Sequence, residues 1–375
     1  MGDEFDGAVA HSYPYRFVTA QSSNVERLRR LRRSLESRED WVACESSFFA
    51  HWEVSLSRHG EDDLGWLLSS DCLDSIREKV SSWFDQPFSP RIDVLAHKME
   101  RGHYSELHND SPRLGRETHR LNVYLNEAWR PAFRGELRIA GSQTADEDAR
   151  LIHPVLGSVM AFEASSDSFH GVRPVAGGTR YSVIFYLWHV ANTPEVGAAV
   201  LEANDGAIRA FEPWLASRYS ALLALLEASG AADIEHGSSN LLKHVVQTAC
   251  LLASWGLPEH VCVSALLDAM DDQMIANHAS HLTAEEIEPQ IAAAAAELVL
   301  ALAAPRRSPG DRVEPYLLAL RFANVVAALP YVAFGHDKWV LRREAFAPVS
   351  SDLPAPARQL ARVLFDHPVD ARAAR

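Results

Sequence analysis

Between Arg91 and about Asn192 the chain breaks into short runs rich in Val, Ile, Tyr and Phe, each bounded by turn residues. The runs are Ile92–Met99, Arg120–Asn126, Glu136–Ala140, Gly157–Glu163, Phe169–Pro174 and Arg180–His189. In the last of them Tyr181, Val183, Phe185 and Leu187 alternate with Ser182, Ile184, Tyr186 and Trp188, the period of a strand whose two faces differ. Short strands at this spacing point to an all-β barrel or jelly roll.

The flanks have a different texture. From Ser22 to about Gln86 the pattern is mainly helical, with Leu28, Leu31 and Leu35 on one face and Leu73, Ile76, Val80 and Phe84 on another. Pro87 and Pro90 close that stretch, and its helices are expected to buttress the outside of the barrel. Residues 1–20 read as a poorly defined arm. After Pro194 the chain is helical to its end, with helices near 196–204, 212–229, 238–256, 258–270, 283–304, 313–330 and 355–366. Gly230, Gly256-Leu-Pro258, Pro305 and Pro354 stop them. The expected architecture is α+β: an arm (1–20), a domain over 21–193 with a jelly-roll core at 91–190, and an all-α domain over 194–375.

A length of 375 residues agrees with two domains. The net charge of −14 disfavours nucleic acid and anionic membranes as partners. The local cluster Arg27, Arg29, Arg30, Arg32 and Arg33, with Glu26 and Glu36 beside it, reads as a solvated helix face. The four cysteines form no C-x-x-C pair and read as reduced thiols of a cytoplasmic protein. The acidic start lacks an apolar signal segment, and Asp6 stands where a myristoylation signal wants Ser or Thr. No run of about 18 apolar residues suggests a membrane span.

The chemistry lies in the β region. His108-Asn109-Asp110 is followed by His170 and then Arg180. Two residues apart on an extended segment, His108 and Asp110 point to the same side. Two imidazoles and a carboxylate can occupy one face of a ferrous ion and leave the opposite face open for a cosubstrate and dioxygen. Arg180 is suited to a bidentate contact with a dicarboxylate. In a chain with 17 histidines an isolated H-x-D is usually structural, so the surrounding text decides.

That text reads Gly102-His-Tyr-Ser-Glu-Leu-His108-Asn-Asp110, then Arg120-Leu-Asn-Val-Tyr-Leu-Asn126-Glu-Ala-Trp129. Gly135-Glu-Leu137 and Pro154-Val-Leu-Gly157-Ser-Val-Met-Ala-Phe162 follow, then His170-Gly-Val-Arg-Pro-Val175-Ala-Gly-Gly-Thr-Arg180-Tyr-Ser182. These blocks, in this order over about residues 91–190, closely resemble the prolyl 4-hydroxylase-like branch of the Fe(II)/2-oxoglutarate dioxygenase superfamily. The resemblance implies a double-stranded β-helix, a jelly-roll form, with Fe(II), 2-oxoglutarate and O2 as its reagents. It makes His108, Asp110 and His170 the iron ligands. Arg180 would bind the distal carboxylate of 2-oxoglutarate, with Ser182 adding a hydroxyl. Tyr124 would contact the cosubstrate or simply pack. Arg120 would bind substrate or cosubstrate, or pair with an acidic neighbour. Gly135 permits a close backbone approach or a bulge.

Departures from the pattern are visible. Arg134-Gly-Glu-Leu137 replaces the usual Gly-Gly-Glu-Leu. Where many members place a cosubstrate-binding tyrosine, this chain has His97-Lys98-Met99. Tyr104 is close in sequence without matching that position, and is a weaker substrate-binding candidate. Asp110 argues against the halogenase variant, which replaces the carboxylate by a small residue.

In the C-terminal half, His236 to His244, Thr248-Ala-Cys, Trp255 to Cys262 and Ala265-Leu-Leu-Asp268-Ala-Met-Asp-Asp272 look like a helical HD-like domain. The adjacent His-Asp pair of that superfamily is missing, so the domain reads as degenerate and non-catalytic, used for packing, recognition or a homodimer contact. A partial metal site from His236, His244, Asp268 and Asp271 is a second reading, and an ordinary helical bundle a third. His336-Asp337 spells the pair but reads as a turn after Gly335. The expected function is hydroxylation of an unactivated C–H of a small substrate (an amino acid, peptide or natural-product intermediate), with succinate and CO2 released. The alternatives are a prolyl-type protein hydroxylase and a non-catalytic sensor on an oxygenase scaffold.

Overall fold

The computed structural model describes residues 5–58, 64–110, 112–144, 149–268, 289–303 and 315–366. Its contacts divide the chain into two units that meet in sequence at Thr193 and Pro194.

The first unit is built on one curled, twelve-stranded antiparallel sheet. In chain order the strands are β1 (Phe5–His11), β2 (Phe17–Ser22), β3 (Val42–Glu45), β4 (Phe49–Ser55), β5 (Phe88–Met99), β6 (Tyr104–His108), β7 (His119–Tyr124), β8 (Leu137–Ala140), β9 (Arg150–Ile152), β10 (Ser158–Glu163), β11 (Phe169–Val172) and β12 (Arg180–His189). They are joined in the order β1-β2-β10-β7-β12-β5-β4-β6-β11-β8-β9, with β3 paired to β4. Two helices accompany the sheet, α1 (Val25–Glu36) and α2 (Ser70–Phe84). Asn24 and Ser69 cap them by accepting the N–H of Arg27 and of Cys72.

Strand alternation sorts the side chains. Val94 and Ala96 of β5, Leu121 and Val123 of β7, Val159 and Ala161 of β10, and Val183 and Phe185 of β12 pack with Leu28, Leu31 and Leu35 of α1 and Ile76, Val80 and Phe84 of α2. This is the main core, and the helices cover the sheet's outer face as expected. The intervening residues face the other way. His97, Arg120, Asn122, Tyr124, Phe162, Arg180, Ser182, Ile184 and Tyr186 line a cavity inside the curl.

Several expectations are corrected here. Residues 5–20 are not an arm: β2 pairs with β10 from Ser158↔Gln21 to Phe162↔Phe17, and β1 pairs with β2. The signal was weak because most of β1 is exposed, so it carries no apolar alternation. The mainly helical stretch contains β3 and β4, and β6 and β9 add strands to those expected.

The second unit holds eight helices among the described residues: α3 (Pro194–Arg218), α4 (Ser220–Ala228), α5 (Leu241–Ser254), α6 (Glu259–Leu267), α7 (Pro289–Ala303), α8 (Pro315–Ala328), α9 (His336–Phe346) and α10 (Ala355–Phe365). The two helices expected near 196–204 and 212–229 are recast as α3, which runs through Pro213, and α4. His336-Asp337 is not a turn but the start of α9, with Gly335 as its cap. Between α4 and α5 a two-residue β13 (Glu235–His236) pairs with β14 (Ser239–Asn240). Among the described residues no helix is long and apolar enough to cross a membrane.

Candidate active site

His108 ends β6, His170 lies on β11, and the two are direct partners across that strand pair. Asp110 follows His108 by two residues. His170 Nε2 lies 2.9 Å from Asp110 Oδ2, and His108 Nε2 lies 3.7 Å from Asp110 Oδ1. One donor atom from each of the three residues falls within 4.8 Å of the others. The sequence-predicted triad is thus brought together at the cavity.

The ring nitrogens facing away are both occupied. His108 Nδ1 is 2.9 Å from the Glu106 carbonyl oxygen, and His170 Nδ1 is 2.9 Å from the Ser168 carbonyl oxygen. A carbonyl only accepts, so each Nδ1 carries a proton and Nε2 is the ring atom turned toward Asp110. Burial, then the neighbouring His170, lowers the His108 pKa and keeps the ring neutral. This is the donor arrangement a divalent metal needs. The residues present therefore fit an Fe(II) ion.

Arg120 on β7 lines the cavity and reaches two acidic neighbours. Its Nη1 is 2.7 Å from Asp110 Oδ2 and its Nη2 is 2.8 Å from Glu117 Oε1. The guanidinium also lies over the Tyr186 ring. It pairs with acidic neighbours and fixes the metal-facing carboxylate. Burial opposes the Asp110 charge, but Arg120 and then His170 and His108 hold its carboxyl well below the usual range.

Arg180 is 3% exposed, yet among the described residues it has no carboxylate partner. Its Nε donates to the Gly135 carbonyl (3.0 Å), and its Nη1 lies near Met99 Sδ (3.5 Å) and donates to Ser182 Oγ (3.3 Å). Gly135 has φ +72, and a Cβ there would meet Val175 at 3.1 Å and Trp129 at 3.2 Å, so this close approach requires glycine. Tyr124 is 1% exposed, and its ring centroid stands 5.2 Å from the guanidinium. A buried cation with the Tyr124 and Ser182 hydroxyls beside it forms a cradle for a carboxylate. Burial lowers the Arg180 pKa, a cost that an anion would offset.

Tyr104 is placed elsewhere. Its hydroxyl donates to the Ser47 carbonyl at 3.2 Å, and it does not line the cavity. It is corrected from a substrate-binding candidate to a strand-pinning residue. The cavity of about 210 Å³ instead gains Phe49, His51, Glu53 and His97. Sequence reading missed Phe49, His51 and Glu53 because β4 lay in a stretch assigned to helices, while His97, on an expected strand, was read only as a departure from the family pattern.

In the second unit, His236 stacks on His244 with ring centroids 4.2 Å apart, and Asp268 accepts from Asn324 at 3.4 Å. Burial and then His236 lower the His244 pKa to about 4. Asp271 lies outside the described residues. No cluster of three close metal donors forms here among the described residues.

A curled antiparallel sheet with two histidines and a carboxylate at its mouth is the architecture of a non-haem iron oxygenase. Residues 94–188 match the model of the 2OG-Fe(II) oxygenase superfamily, so this segment is an iron- and 2-oxoglutarate-dependent oxygenase domain. Among solved structures, the chain is similar to a prolyl-4-hydroxylase of Pseudomonas putida, at 19% identity and TM-score 0.39 over 49% of this chain and 91% of that one. A prolyl hydroxylase of Trichoplax adhaerens is similar at 13% identity and TM-score 0.37, over 46% and 83%. A non-heme alpha-ketoglutarate-dependent epimerase from nogalamycin biosynthesis is similar at 14% identity and TM-score 0.37, over 47% and 78%. None of the curated proteins compared matches the chain.

Proposed function

We propose that this dioxygenase hydroxylates an unactivated C–H of a small substrate, an amino acid, short peptide or natural-product intermediate. The observation that carries the reading is one cavity lined both by His108 and His170, which converge on Asp110, and by a buried Arg180 that has no carboxylate partner among the described residues. His108, Asp110 and His170 would hold the iron. Arg180, Ser182 and Tyr124 would hold the distal carboxylate of 2-oxoglutarate. Bound iron with 2-oxoglutarate and O2 supplies an oxidation that puts one oxygen atom into a C–H bond and releases succinate and CO2.

The chain's own residues supply position and dryness. Arg120 keeps Asp110 ionised and aimed. Arg180 orients the cosubstrate, and the apolar walls Phe162, Leu137 and Ile184 exclude water from the reacting carbon. The helical unit is proposed to be non-catalytic, serving recognition or self-association. The four cysteines are free thiols, which supports a reducing, cytoplasmic location.

The test is succinate release from 2-oxoglutarate, driven by a panel of free amino acids and compared with prolyl-containing peptides and unfolded proteins. Substrate-dependent release with a small metabolite supports the proposal. Release only with a polypeptide would replace it by the protein-hydroxylase reading.

A further inference from the structure

A second group of metal donors stands on the same sheet. Cys44 of β3 faces His51 of β4 directly across the strand pair, and Glu53 follows His51 by two residues on the same face. One donor atom each from Cys44, His51 and Glu53 falls within 4.8 Å of the others. Glu53 in turn faces His97 of β5, whose Nε2 lies 3.1 Å from Glu53 Oε2. The His51 and His97 rings stack with centroids 4.4 Å apart. Four metal-binding side chains thus occupy two adjacent rows on three neighbouring strands, all partly buried.

We propose that Cys44, His51 and Glu53 bind a second divalent ion, with His97 orienting the Glu53 carboxylate. The donor set selects the ion. A thiolate with an imidazole and a carboxylate suits a borderline cation such as Zn(II), whereas Ca(II) and Mg(II) want oxygen alone. The Cys44 thiol loses its proton on binding, so thiolate and carboxylate neutralise the dication. The ion stitches β3, which pairs only with β4, onto the wall of the cavity that His51, Glu53 and His97 line. His97 makes the hydrogen bond that fixes a ligating carboxylate, as outer partners of metal ligands do.

The experiment is an anaerobic titration of chelator-stripped protein with Co(II), which reports thiolate ligation by a near-ultraviolet charge-transfer band. Wild type should bind two ions per chain and show that band. Cys44→Ser, a near-isosteric change at a half-buried position, should bind one ion and lose the band. Glu53→Gln should bind the second ion at least tenfold more weakly. A stoichiometry of one in wild type, or a second ion without the thiolate band, overturns the proposal. The visible band given by Fe(II) with 2-oxoglutarate is read on the same preparations. Its presence beside a failed Co(II) test rejects the second site alone, and its absence rejects the reading of the first.

Discussion

His170 Nδ1 sits 2.9 Å from the carbonyl oxygen of Ser168, two residues before it. His108 has the same relation, at the same distance, to Glu106. In both cases the local backbone holds Nδ1, so the Nε2 atoms are aimed at Asp110 before any ion arrives. Such preorganisation makes the strands around the ligands as important as the ligands themselves.

Gly171 tests that point. A Cβ at this position would lie 2.6 Å from the Ser105 carbonyl oxygen and 2.7 Å from that of Glu106, the acceptor of His108 Nδ1. Gly171→Ala should therefore push β11 from β6 and weaken iron binding by roughly tenfold to a hundredfold. The fold should survive, with a loss of about 1–3 kcal/mol. Iron affinity and denaturant midpoint, measured together, check this. An unchanged iron affinity would show that the two strands do not control the ligands.

Arg180→Ala should leave iron binding intact and weaken 2-oxoglutarate roughly a hundredfold, about 3 kcal/mol. Arg180→Lys should recover only part of this, because an ammonium lacks the planar fork. Cosubstrate titration of the iron-loaded variants decides it. Affinity within twofold of wild type would remove Arg180 from the cosubstrate site.

Asn126 is 1% exposed. Its Oδ1 accepts from the Tyr181 N–H (2.7 Å) and from Arg32 Nη1 (2.9 Å), while its Nδ2 donates to the carbonyls of Pro154 (2.7 Å) and Tyr181 (3.1 Å). It thus ties the end of β7 to β12, to α1 and to the turn before β10. Asn126→Ala should lower unfolding free energy by about 2–4 kcal/mol, since three buried backbone groups and the partly buried Arg32 lose their mate. A loss below about 1 kcal/mol in urea unfolding would contradict this reading.

His244 gives the helical unit a pH dependence. Its folded pKa of about 4 lies below the ordinary 6.5, so the unfolded chain binds the extra proton between those values. Stability is complete above about pH 6.5 and falls as the pH drops toward 4, by about 3 kcal/mol at most. His244→Gln should flatten the fall in thermal midpoint between pH 6.5 and 4.5. An equal slope in the variant would assign the acid sensitivity to other groups.

What the sequence disclosed follows from where its signals are strong. β12 was legible to the residue, because Arg180–His189 alternates and both of its faces are committed. His108, Asp110 and His170, whose donor atoms the fold brings together, stood out in the sequence because ligand chemistry admits few residue types at fixed spacing. β1 and β3 were not, because edge strands with exposed residues carry little hydrophobic pattern. With β4 hidden among helices, His51 and Glu53 had no visible relation to His97. The role of Arg120 needed the fold, since a single arginine fits a substrate or an aspartate equally well on paper.

The most direct test of the central claim is an anaerobic titration with Fe(II) and then 2-oxoglutarate, followed by the visible metal-to-ligand charge-transfer band. The account predicts a band in wild type, none in His108→Ala, and in Arg180→Ala a band that appears only at much higher 2-oxoglutarate. A folded wild type that gives no band would contradict it.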